Sequence, residues 1–235
     1  MMILHRANER GHDLHCKEEV WHSFGGLVGF GALEQFDEDR LGPGAHLLGL
    51  TNGGAEVITY VREGALAFAD STGRSGVIQA GEFHRLTPGE HIRHRLRNAS
   101  YVDWTHVFRV CIQPSEAGLA CSCEQKRFCA GDRRGQACVV ASADGQRGSL
   151  HLHQDALLFS VMLEPGQHLI HELTAGRSAW LHNVEGAATV ADLVLLSGDA
   201  VAVTDAPAVS LTAREPTEIL LVDLVAASSP NKRSG

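Results

Sequence analysis

The sequence predicts an all-β protein made of two similar β-units in tandem, and two observations carry that expectation. The first is punctuation. Residues 41–98 hold short strand-forming runs at 57–61, 65–68, 77–80 and 82–86, separated by turns at Glu63 and Gly64, at Asp70 to Gly76, at Gly81, and at Pro88 and Gly89. Short strands at this spacing, bounded by glycine and proline, indicate an antiparallel sandwich or barrel. The second is repetition. Val61-Arg62-Glu63-Gly64-Ala65 with Asp70 is answered by Val184-Glu185-Gly186-Ala187 with Asp192. Ala80-Gly81-Glu82-Phe83 is answered by Ser197-Gly198-Asp199-Ala200, and Pro43-Gly44 by Pro165-Gly166. Landmarks matching in the same order indicate an internal duplication with a period of about 120 residues.

Composition narrows the classes of function. A net charge of −8 excludes nucleic-acid binding through a broadly basic face. No apolar run approaches the roughly 20 residues of a membrane-spanning helix. Residues 1–15 are polar and contain no apolar signal region, which leads us to expect a cytoplasmic protein with reduced thiols.

Along residues 1–40, four glycines between Gly25 and Gly31 disfavour a helix. An edge strand and loop are expected there, anchored by Trp21 and Phe24. In the first unit, Glu56-Val57-Ile58-Thr59-Tyr60-Val61 alternates imperfectly, as expected of a strand buried on both faces beside a cavity. His46, Asn52, Glu56, His84, His91 and His94 fall on segments able to approach that cavity. Arg93, Arg95 and Arg97 alternate with His94 and Leu96, so they are expected on the opposite, solvated face.

The connector between the units holds five of the six cysteines. Cys121, Cys123, Cys129 and Cys138 suggest either a structural zinc site or a redox switch near Lys126 and Arg127, although the paired Cys-x2-Cys spacing of zinc knuckles is absent. Strands are expected in the second unit at 157–163, 179–184, 187–190, 200–203, 209–213 and 219–225. Residues 228–235 read as a disordered tail. The expected division is 1–135, 136–227 and the tail. Neither a Gly-x-Ser-x-Gly motif nor a phosphate-binding glycine loop occurs, so enzymatic chemistry would depend on a metal in the first unit.

Nearly the whole chain resembles the pirin family. The resemblance lies in residues 7–12, in Trp21-His22-Ser23-Phe24, in residues 56–61 with Glu63-Gly64-Ala65, in Asp70-Ser71, and in Gly76-Val77-Ile78. Glu124-Gln125-Lys126 resembles the inter-barrel connector, and residues 148–155 the entry to the second barrel. The resemblance implies a bicupin, two tandem jelly-roll β-barrels, with one transition metal held in the first barrel by an His-x-His pair and an His-x-Glu pair. Those pairs fall on Leu50 and Asn52, and on His94 and Leu96. One ligand of four is retained. Leucine has no lone pair to donate, and an amide substitutes poorly for imidazole.

Three readings follow. The leading one is a metal-free bicupin that binds a small molecule or regulates a protein partner, with Leu50, Asn52, Glu56, His94 and Leu96 lining the pocket and no cofactor. The second is a quercetin 2,3-dioxygenase-like oxidoreductase using iron, nickel or copper at a relocated site of His94, Glu56, His46 and His84. The third is a thiol-based sensor in the connector. None involves nucleic acid or a membrane.

Overall fold

In the computed structural model, residues 1–24, 29–47, 54–89 and 92–226 are described. Among them, four sheets form two barrels. The large sheet of the first barrel runs Ser122–Arg127, Glu82–Thr87, Glu56–Glu63, Thr105–Ile112, Leu33–Leu41, Glu18–His22, Gly11–His15. Its small sheet runs His46–Leu47, His94–Asn98, Ala65–Asp70, Ser75–Gln79. The second barrel repeats the plan. Its large sheet runs Met2–His5, Ala200–Val203, Arg177–Glu185, Thr217–Val225, Ala156–Leu163, Cys138–Ser142, Leu150–His151, and its small sheet His168–Glu172, Ala208–Ala213, Ala187–Val190, Leu193–Leu196. Among the described residues, every pairing between these strands is antiparallel except Cys138–Ser142 with Leu150–His151.

The duplication read from the sequence is visible in the backbone. Gly64 and Gly186, the turn residues between matching strands, adopt φ of 79° and 80°. Any Cβ there would also strike the chain crossing behind it, Thr105 Oγ1 and the Trp104 carbonyl at Gly64, and the Pro216 carbonyl at Gly186. Only glycine meets both demands without strain. In each barrel a threonine fastens that crossing. Thr105 Oγ1 donates to the Ala65 carbonyl and Thr217 Oγ1 to the Ala187 carbonyl.

Strand Thr105–Ile112 is buried at every residue. Its alternating faces explain why. Val107 points into the first barrel with Leu41, Val61, Leu66, Ile78 and Leu96. Phe108, Val110 and Ile112 point the other way, into a shared core with Trp180, Leu158, Leu220 and Val222 of the second barrel. The barrels therefore pack large sheet against large sheet. The imperfect alternation of residues 56–61 has the same origin, since Ile58 and Tyr60 join that core while Val61 faces inward.

A buried polar cluster crosses the interface. Tyr60 donates to Glu218 at 2.6 Å, and Arg133 Nη1 donates to Glu218 Oε1 and Tyr60 Oη, both at 3.1 Å. Burial first, then the Glu218 charge, raises the Tyr60 phenol above its ordinary range.

The expected division of the chain needs one correction. Met2–His5 lies within the expected first unit, 1–135, yet it pairs with Ala200–Val203 and extends the second barrel's sheet. Phe24 packs at 4.8 Å against Trp180, so the N-terminal segment also anchors across the interface. The expected tail, 228–235, lies outside the described residues.

Candidate functional site

Side chains of successive strand residues alternate between faces. In the first barrel this brings Val57 and Thr59, Phe68 and Asp70, His84 and Leu86, His94 and Leu96, and Cys123 to one inward cavity of about 20 Å³. The registers explain the grouping. His94 opposes Asp70 and Leu96 opposes Phe68, while Thr59 opposes His84, and Val57 and Cys123 flank Leu86. The space suits about one water-sized molecule. A wider, open cleft of about 420 Å³ lies where strands of this barrel end, lined by Gly54, Pro88, Gly89, Ile92, Gln113 and Leu119 among others.

The electrostatics favour neutral imidazoles. Burial, then the nearby Arg85 charge, pushes His84 down to about 4. Burial also lowers His94, and Arg74 adds to that while Asp70 opposes it. His84 is 4% exposed, and its Nε2 has no hydrogen-bond partner among the described residues. Its ring tilts against Phe68 at 4.9 Å.

At the margin of the cavity, Cys121 Sγ lies 3.9 Å from His94 Nε2. Arg74 Nη2 donates to the same sulfur at 2.6 Å while Arg74 Nε donates to Asp70 Oδ2 at 2.6 Å. Asp70 is held in turn by Thr72, whose hydroxyl and backbone N–H both donate to Oδ1.

The sequence-predicted residues separate into groups. His94 and Leu96 face the cavity together, and His84 joins them. Leu50, Asn52 and His91 lie outside the described residues. Glu56 does not line the cavity. Its Oε1 accepts from Thr87 Oγ1 at 2.6 Å and contacts His153 Nδ1 at 2.8 Å, and its Oε2 accepts from the His153 backbone N–H at 2.7 Å. His46 is exposed. It pairs with Arg97, out of phase with the inward Leu47 and Leu96. The relocated set of His94, Glu56, His46 and His84 is therefore not assembled.

The four connector cysteines are likewise apart. Cys123 lines the first-barrel cavity, Cys121 lies beside His94 and Arg74, Cys129 is exposed before the short helix Ala130–Arg133, and Cys138 begins a strand of the second barrel. All are free thiols. Among the described residues, no group of three or more His, Cys, Asp or Glu side chains is arranged to hold a metal ion. Of the family's four ligand positions, Leu50 and Asn52 lie outside the described residues, and the other two present His94 and Leu96 to the cavity.

Sequence reasoning missed Thr59, Phe68 and Cys123 as cavity residues, although alternation along the strand of Val57 could have found Thr59. It also missed His153, for which no local signal exists.

The comparisons agree with this architecture. The Pirin family matches residues 8–112, and the quercetinase C-terminal cupin domain matches residues 139–224. A quercetin 2,3-dioxygenase of Escherichia coli (strain K12) is 33% identical over 231 residues, covering 95% of this chain and 99% of that protein. A pirin-like protein of Caulobacter vibrioides is 30% identical over 197 residues, covering 83% of this chain and 84% of its own. The crystal structure of YhhW from Escherichia coli superposes with a TM-score of 0.90 at 32% identity, covering 98% of this chain and all of that one. The same bacterial pirin in complex with nickel(II) gives 0.88 at 31% identity, covering 97% of this chain and all of that one. The chain belongs to the pirin family, as a bicupin.

Proposed function

We propose that the first barrel binds a small molecule without the metal set that the family implies. The observation that carries this reading is the pair His94 and Leu96 side by side in the cavity wall. By resemblance, a carboxylate is required where Leu96 stands. The nearest sequence candidate to replace it, Glu56, is engaged by His153 and Thr87. Val57, Phe68, Leu86 and Leu96 make the wall largely apolar, burial keeps the His84 and His94 imidazoles neutral, and the carboxylate at its edge, Asp70, is held by Arg74 and Thr72. A neutral imidazole carries one donor and one acceptor. Two of them in an apolar setting orient a hydroxyl or keto group by directional hydrogen bonds. The inner cavity is too small for a whole ligand, so we infer that the rest would occupy the open cleft at the strand ends.

Among the described residues, no helix is long and apolar enough to cross a membrane.

A second reading is favoured by the 33% identity to a quercetin 2,3-dioxygenase over 95% of this chain. It requires a metal whose remaining ligands lie outside the described residues. Titration with a flavonol, with and without added nickel(II), separates the two. Metal-independent binding without turnover supports the binding module, and turnover only with metal supports the oxidoreductase.

A further inference from the structure

We propose that the outer face of the first barrel's small sheet is a docking surface for an extended acidic segment of a protein partner. This uses the side of the sheet away from the cavity and does not rest on the ligand reading above. Alternation turns His94 and Leu96 inward and leaves Arg93, Arg95 and Arg97 on the outer side. Arg93 and Arg95 are exposed, and among the described residues no carboxylate forms an ion pair with any of the three. The adjoining strand leaves them uncovered, since Arg95 opposes Ala69 and Arg97 opposes Ala67. An open cleft of about 280 Å³ lies against Arg93 and Arg95, and the carboxylate that lines it, Asp70, is taken up by Arg74 and Thr72.

In a chain of net charge −8, a row of uncompensated cations on one strand is a local inversion of the field. A guanidinium is a planar fork that matches a carboxylate. The spacing states the shape of the partner. Side chains on one face of a strand recur about every 7 Å, and an extended peptide presents its alternate side chains at the same pitch. Carboxylates at alternate positions of such a segment therefore meet successive arginines.

A second observation lies at the end of the row. The Arg97 guanidinium stands 5.6 Å from the centroid of the Tyr101 ring, and Nη1 donates to Tyr101 Oη at 3.4 Å. Tyr101, Val102 and Trp104 are 75%, 80% and 54% exposed. The loop that carries them is nevertheless held from beneath. Asn98, fully buried, donates to the Asp103 carbonyl at 2.7 Å and the Leu41 carbonyl at 3.0 Å, and its Oδ1 accepts from the Ser100 backbone N–H and Thr105 Oγ1, both at 2.8 Å. Tyrosine, tryptophan and arginine are the side chains on which binding energy concentrates. A loop already fixed by hydrogen bonds loses little entropy when a partner docks. An apolar residue flanking the acidic run would seat against Tyr101.

The test measures fluorescence anisotropy of a labelled peptide of alternating glutamate and threonine, with phenylalanine at both ends, against the full chain at about 50 mM salt, where surface charge is weakly screened. The peptide should bind, and Arg93→Glu with Arg95→Glu should weaken it by about tenfold. The same double variant should bind the lysine–threonine counterpart more tightly than the wild type does. Both positions are exposed, so the variant should fold as the parent does. Arg40→Glu reverses an exposed arginine on the large sheet and should change the affinity by less than about twofold. No binding of the acidic peptide to the wild type, or an equal loss in Arg40→Glu, overturns the proposal. So does a stronger response to an oligothymidylate or to phosphatidylserine vesicles than to the peptide, which would assign the face to nucleic acid or to a membrane.

Discussion

Glu56 and His153 are joined twice across the two barrels, the carboxylate meeting both the His153 backbone N–H at 2.7 Å and its ring Nδ1 at 2.8 Å. Glu56 is fully buried, and Thr87 completes its coordination. The residue that by sequence looked most like a catalytic carboxylate is therefore a fastener between domains. Glu56→Ala strands three donors, and we expect a loss of about 2–4 kcal/mol in urea unfolding. Affinity for a cavity ligand should change little. A variant of wild-type stability with abolished binding would return Glu56 to the site.

Glu218 should be the costliest residue of the interface cluster. Removing it leaves Arg133 buried and unpaired, so Glu218→Ala is expected to lose about 3–5 kcal/mol. Tyr60→Phe removes its hydrogen bonds to Glu218 and Arg133 but leaves those two charges paired with each other, and should lose only about 1.5–3 kcal/mol. Equal losses in denaturant titration would contradict this ordering.

Acid should weaken the fold in two windows. His182 is wholly buried between Phe36 and Phe108, and burial pushes it down to about 3. Below the ordinary histidine value of 6.5 the unfolded chain binds a proton that the folded chain refuses. Stability is thus fully present above 6.5 and falls as pH drops toward 3. Glu38 is raised by burial, but His106 and Arg10 outweigh that and hold it at about 2. Its contribution is complete above 4.5 and is lost as pH falls toward 2. In pH-dependent thermal unfolding, His182→Leu should flatten the upper window and Glu38→Gln the lower one. Because both His182 ring nitrogens lack partners among the described residues, His182→Leu should also be neutral or stabilising at pH 7.

The metal reading can be built back in. Leu50→His, Asn52→His and Leu96→Glu together restore the family's four-ligand pattern. We expect the triple variant to take up about one nickel(II) or iron(II) per chain in equilibrium dialysis, against none for the parent. Leu96→Glu alone places an unpaired carboxylate in an apolar wall and should cost about 2 kcal/mol or more without added metal. A triple variant that folds and takes up no metal would contradict the alignment.

Much of the fold was legible because local chemistry dictates it. The expected strands at 187–190 and 200–203 are observed as Ala187–Val190 and Ala200–Val203, since turns at Gly186 and Gly198 bound them. The paired cavity positions His94 and Leu96 were legible because alternation on one strand is a local property. The role of Glu56 was not, because its partner lies 97 residues away. Nor was the destination of Met2–His5, whose pairing with Ala200–Val203 leaves no mark on either segment alone. His46 misled because its strand, His46–Leu47, is too short for its alternation to be read.

The measurement that tests the central claim most directly is elemental analysis of untagged protein purified without chelator, reported as metal per chain. The account predicts no stoichiometric transition metal alongside retained ligand binding. Iron, nickel or copper near one per chain would contradict it and assign the first barrel to metal-dependent chemistry.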